Sequence, residues 1–131
     1  MKNSKVVKSY LVVAGIVGIL VGGANLMIPI AFNASSGIDL NDNLNLINEM
    51  RASGGGLLAS SLVVFLGAFI GRLRFSSLLL SVMIYLGYGL GRCLSMLIDG
   101  MPSEEMIQIV MFELLVGVVG LYVFLKYKEK F

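Results

Sequence analysis

The sequence predicts an all-α polytopic membrane protein, an antiparallel four-transmembrane-helix bundle with both termini cytoplasmic. Three observations carry this. Hydrophobic residues make up 57% of the 131 positions and charged residues only 14%, against about 25% charged in ordinary soluble domains. A soluble chain of this length has too little interior to hide so much apolar surface. The apolar residues fall into four long runs, and the charges fall almost entirely between them.

A spanning helix needs about 20 mostly apolar residues. The runs cover about residues 10–32, 54–71, 75–98 and 106–125 and leave room for a single domain over 1–131. The first two carry no charge, the third only Arg92 and the fourth only Glu113. Lys2, Lys5 and Lys8 resemble the start of a signal peptide. The run behind them exceeds the roughly 7–15 apolar residues of a signal core and lacks a small-residue cleavage site, so a retained helix is expected.

Basic residues set orientation. With four spans, Lys2, Lys5, Lys8, Arg72, Arg74, Lys126, Lys128 and Lys130 share one side. Asp39, Asp42, Glu49, Asp99, Glu104 and Glu105 share the other, with Arg51 as its only basic residue. The termini and the Arg72/Arg74 turn are therefore expected in the cytoplasm.

Local chemistry marks the ends. Gly100 after Asp99 suits a helix C-terminal stop, and Ser103 suits the N-cap of the fourth helix. Glu104 and Glu105 at its start and Lys126 and Lys128 at its end match the helix dipole. Leu40, Leu44 and Ile47 at helical spacing predict a short interfacial helix before the second span. Asn33-Ala34-Ser35 matches a glycosylation sequon, a three-residue pattern given no weight.

Lipid supplies no hydrophobic force between helices, so small residues mark their contacts. Gly15, Gly18, Gly22, Asn25 and Pro29 form one stripe by alternating steps of three and four. Ser81, Tyr85, Tyr88, Arg92, Ser95 and Asp99 form another, and Glu113, Gly117 and Gly120 a third. Each is expected to face inward, with Pro29 bending or ending the first helix.

Charges within spans usually face the protein interior or a cavity. At 1.5 Å rise per residue, Arg92 and Glu113 lie roughly 10 and 12 Å below the outer boundary. Arg92 cannot shed its proton, so it needs a counter-charge, and Glu113 is nearest in depth. Asn25, Arg51, Arg92, Ser95, Asp99 and Glu113 are expected to converge in the outer half, with Glu49 at its mouth and Tyr85 and Tyr88 as its floor. Three readings remain open: an ion pair fixing register, a polar pocket open to the outer surface, and lipid-headgroup anchoring.

The chain has no His and one cysteine, Cys93. That excludes a Ser/His/Asp triad and a His-rich zinc site and any intrachain disulfide. No metal and no cofactor are implied, and nothing suggests nucleic acid.

Asn48-Glu49-x-Arg51-Ala52-x-Gly54-Gly55, then Gly91-Arg92-x-x-Ser95-x-x-x-Asp99-Gly100-x-Pro102-Ser103, then Glu113 followed by small residues resemble an uncharacterised bacterial family. It is a family of small four-helix integral membrane proteins, a domain of unknown function. The resemblance covers nearly the whole chain. It implies the bacterial cytoplasmic membrane, the same topology, and Glu49, Arg51, Arg92, Asp99 and Glu113 as polar hallmarks. Ser53 departs from the aromatic residue of that pattern.

Two function classes and a third follow. The first is binding of an amphipathic lipid- or quinone-like molecule, with Arg51 and Arg92 holding its oxygens by paired hydrogen bonds. The second is an intramembrane lipid isomerase or hydrolase using Glu113 or Glu49 as general acid or base. The third is a structural or accessory subunit, as a homo-oligomer or within a larger membrane complex.

Overall fold

The computed structural model describes residues 2–130, without the side chains of residues 2–4 and of Lys130. It holds five helices: α1 Lys2–Met27, α2 Pro29–Ala34, α3 Leu44–Leu66, α4 Arg74–Asp99 and α5 Glu104–Tyr127. Short 3-10 turns occupy Gly71–Leu73 and Lys128–Lys130, and no strand occurs among the described residues. Three stretches, Lys5–Met27, Gly71–Asp99 and Glu104–Tyr127, are helical, long and apolar enough to cross a membrane.

The first apolar run breaks at Ile28, whose φ of −134° and ψ of 57° leave helical space just before Pro29. Proline cannot donate an N–H and disfavours the α conformation in the residue before it. Six residues of α2 follow, then a loop. Within it Asp39 accepts from the Asn41 backbone N–H at 3.0 Å, and Asp42 takes a positive φ of 62°.

The expected interfacial helix is not a separate element. Leu44 and Ile47 belong to the first turn of α3, which starts ten residues ahead of the apolar run expected over 54–71. Asn43 accepts from Leu46 N–H at 3.1 Å and starts that helix early. Leu40 instead tucks fully inside the loop. At the other end α3 stops at Leu66, and residues 67–70 form the turn. The apolar part of α3 is thus short, and its first ten residues include Asn45, Asn48, Glu49 and Arg51.

Two arginines finish helices. Arg74 donates from Nε to the Gly67 carbonyl at 3.1 Å and from Nη2 to the Ala68 carbonyl at 3.0 Å. Arg51 donates from Nη1 to the Leu26 carbonyl at 2.6 Å, at the broken end of α1. Both meet carbonyls that lack a partner one turn on. Gly100, at φ 106°, ends α4, and Ser103 accepts from Met106 N–H to begin α5.

The helices associate as two pairs, α1 on α3 and α4 on α5. A Cβ on Gly22 would lie 2.6 Å from the Leu58 nitrogen, and one on Gly54 2.6 Å from the Leu26 nitrogen. The two backbones touch there, as small residues permit. In the second pair, Leu114 covers Gly89 and Leu86 covers Gly117.

The pairs join mainly at one end, and at the other only the hydroxyl contacts of Ser53 with Tyr88 and of Ser103 with the Ser36 carbonyl bridge them. The buried cluster takes Val7, Leu11 and Ala14 from α1, Val64 from α3 and Leu78 from α4, with Val123 and Tyr127 from α5. All lie in the half of the bundle that carries both termini. Tyr10 locks it: its hydroxyl donates to the Val116 carbonyl at 3.1 Å and shares a hydrogen bond with Ser81 Oγ at 2.9 Å. Tyr85 donates to the Ala14 carbonyl at 2.6 Å, near mid-height. Above Tyr85 the pairs part.

Candidate binding site

Where the pairs part they enclose a cavity of about 940 Å³ that runs from Val17, Gly18 and Tyr85 up to residues 35–38 and 100–106. Its size lies at the upper end of ordinary small-molecule sites, about 300–1,000 Å³. Its wall is mostly apolar, including Val21, Leu57, Ile84, Met96, Ile109 and Phe112. A few polar groups interrupt it.

Six of the nine residues expected at the site line this cavity: Asn25, Tyr85, Tyr88, Arg92, Ser95 and Glu113. Arg92 donates from Nε to Glu113 Oε1 at 2.8 Å. The Arg92 side chain is 33% exposed and that of Glu113 14%, so the pair sits at the cavity wall rather than in a dry core. The bond uses the flank of the guanidinium. Its two terminal nitrogens have no hydrogen-bond partner among the described residues, and Glu113 Oε2 is likewise unengaged. The Tyr88 ring lies 5.9 Å from the guanidinium carbon, within cation–π range.

Asn25 acts through a neighbour. Its carbonyl oxygen accepts from Asn33 Nδ2 at 2.7 Å, and the same Nδ2 donates to the Pro29 carbonyl at 2.8 Å. Asn33 is buried, and its amide nitrogen is committed to these bonds, which is the opposite of an exposed sequon.

The remaining three residues lie elsewhere. Arg51 is turned to the α1 end and a shallow hollow beside Met27–Ala31. Glu49 is exposed on α3, outside the cavity wall. Asp99 accepts from Ser95 Oγ at 2.9 Å on the exposed face of α4. The cluster of two arginines and three carboxylates expected from depth alone is therefore one arginine and one carboxylate.

A family pattern matches residues 6–124. The chain belongs to the DUF4345 family, a domain of unknown function. The DUF4345 match reaches into all five helices and takes in all nine residues expected at the site. No curated protein and no solved structure matches the chain.

The lining also includes residues outside the nine expected at the site, among them Asn33, Glu105, Ser53 and Gly91. Asn33 continues the α1 stripe, four residues beyond Pro29. Glu105 lies eight residues before Glu113, on the same α5 face. Both periodicities were readable. Ser53, whose hydroxyl is 3.4 Å from that of Tyr88, and Gly91 carry no periodicity and stand out in the sequence only through the family pattern. A Cβ on Gly91 would meet nothing within 4 Å, so side-chain space there is open.

Proposed function

We propose that this DUF4345 protein crosses the bacterial cytoplasmic membrane four times, as a single domain with both termini inside, and binds an amphipathic lipid- or quinone-like molecule in the cavity between its helix pairs. The observation that carries this reading is the state of Arg92. Its charge is held by Glu113 through one nitrogen, while the terminal fork has no partner and borders a space of about 940 Å³. A guanidinium fork matches two oxygens side by side. The apolar wall suits a tail.

An ion pair serving register alone would leave no reason for a large space beside it, since interiors pack closely. A lipid-modifying enzyme is less well supported. Glu113 is already bonded to Arg92, and Glu49 stands outside the cavity, so neither carboxylate expected as general base is a free one facing the space. α3 crosses beside α1 despite its short apolar run, held by the glycine contacts of Gly22 and Gly54.

The test is mass spectrometry of gently purified protein. The wild type should carry a lipid or quinone enriched above the bulk membrane. Arg92→Gln should lose it by removing the fork. Gly91→Leu should lose it by filling open space while keeping the fold. Equal retention by both variants, or a wild type with only bulk lipid, overturns the reading.

A further inference from the structure

We infer that the headgroup this cavity takes is zwitterionic, an oxyanion and a primary ammonium together, as in a phosphoethanolamine lipid. The inference rests on the binding reading above and narrows it. Three charged side chains line the cavity: Arg92, Glu113 and Glu105. Negative outnumber positive, and Arg92 is already neutralised by its 2.8 Å bond to Glu113. A headgroup with a bare negative charge would meet two carboxylates for one shared guanidinium. Like charges at close quarters in a low-dielectric space oppose each other strongly.

The pair presents a donor and an acceptor next to each other. The unengaged fork of Arg92 offers N–H groups to a phosphodiester. The unengaged Oε2 of Glu113 offers an acceptor to a neighbouring ammonium. Glu105 stands two turns above on the same face of α5, about 12 Å along the helix, exposed and without an ion-pair partner among the described residues. It adds negative potential to the end of the cavity bordered by the start of α5. The Tyr88 ring beside Arg92 extends the patch that tolerates positive charge. Binding a zwitterion satisfies both members of the pair without separating them.

The rest of the wall sets the source. Leu57, Ile84, Ile109 and Phe112 offer nothing to a water-soluble headgroup beyond the polar patch. The occupant is therefore the whole lipid rather than the free phosphoethanolamine ester.

The experiment uses full-length protein in vesicles of equimolar phosphatidylethanolamine, phosphatidylglycerol and phosphatidylcholine, with native mass spectrometry of what is retained. Phosphatidylethanolamine should exceed phosphatidylglycerol by about tenfold, the size of one charge-assisted hydrogen bond. It should also exceed phosphatidylcholine, which has no ammonium N–H to donate. Glu113→Gln should reverse the preference toward phosphatidylglycerol. Glu105→Gln, an exposed change that leaves the ion pair intact, should weaken the preference several-fold with only the small loss of thermal stability that one first-turn carboxylate of α5 accounts for. Soluble glycerophosphoethanolamine should not compete.

Preferential retention of phosphatidylglycerol by the wild type, lost in Arg92→Gln, overturns the zwitterion inference and leaves a binding site for anions. An unchanged preference in both glutamate variants also overturns it. Competition by the soluble headgroup overturns the lipid as occupant. Retention of none of the three above vesicle composition, with no native lipid on the purified protein, removes the binding reading itself.

Discussion

Arg92 Nε donates to Glu113 Oε1 at 2.8 Å across 21 residues of sequence, and this bond ties α4 to α5 at the wall of the cavity. An exposed ion pair contributes about 0–1 kcal/mol. Breaking a fully buried one costs about 3–5 kcal/mol. With 33% and 14% exposure, this pair stands between those limits.

The expected cost is therefore about 2 kcal/mol for Glu113→Ala, which strands an arginine in apolar surroundings, and the same order for Arg92→Ala. The double variant should be less destabilised than the sum of the two. Thermal unfolding in mild detergent checks the cycle. Strict additivity would show that the bond contributes nothing.

Arg51 has a different task from Arg92. It stands where the charge bias of its end of the chain argues against a positive residue, and depth alone groups it with the polar cluster. The break before Pro29 explains it. That break frees the Leu26 carbonyl, and Arg51 Nη1 fills the vacancy at 2.6 Å. Arg51→Gln should lower stability by about 1–2 kcal/mol, as a charged hydrogen bond to backbone contributes, while leaving any bound lipid in place. A variant as stable as the wild type but stripped of its ligand would contradict this assignment.

The same contrast shows what could be read from the chain. Hydropathy exposes the runs that contain α1, α4 and α5, because each is apolar over a membrane's thickness. It does not show where α3 starts: Asn43 begins that helix, and ten residues, half of them polar, precede the apolar part. Periodicity identifies the faces, so Gly22, Tyr85, Arg92 and Glu113 point inward as expected. Depth along a helix says nothing about azimuth between helices. Arg51, Glu49 and Asp99 share the height of the cavity but not its wall. The cavity itself depends on two helix pairs being clamped by Tyr10 and Tyr85 mainly at one end, a long-range fact that no local pattern carries.

Two adjacent glycines test the packing of α1 on α3. A Cβ on Gly22 would meet backbone at 2.6 Å, whereas one on Gly23 meets nothing within 4 Å. Backbone cannot rotate aside, so Gly22→Ala must push the helices apart, at about 1–3 kcal/mol for overpacking. Gly23→Ala should be neutral or stabilising by about 0.5–1 kcal/mol, since alanine loses less entropy in a helix. Thermal unfolding of the two single variants compares them directly. Equal effects would mean that α1 and α3 are not in backbone contact.

The last prediction is the direction of insertion. Lys5, Lys8, Arg72, Arg74, Lys126 and Lys128 lie at the clamped end of the bundle, and Asp39, Asp42, Asp99, Glu104 and Glu105 at the cavity end. Arg74 is partly accounted for by the α3 carbonyls it caps, yet the others are not. Lys126 lies 5.6 Å from the Tyr122 ring and 5.5 Å from the Tyr127 ring, an arrangement suited to a cation and aromatics at a membrane surface. Retention of basic residues on the cytoplasmic side then puts the clamped end inside and the cavity end outside. On a Cys93→Ser background, Glu104→Cys and Asn41→Cys should react with an impermeant maleimide from outside intact cells, whereas Arg72→Cys and Lys128→Cys should react only after permeabilisation. Asn41 and Arg72 bracket α3, so labelling them from the same face would mean that α3 does not cross. Labelling of position 104 from the cytoplasmic face alone would invert the bundle and turn the cavity toward the cytoplasm.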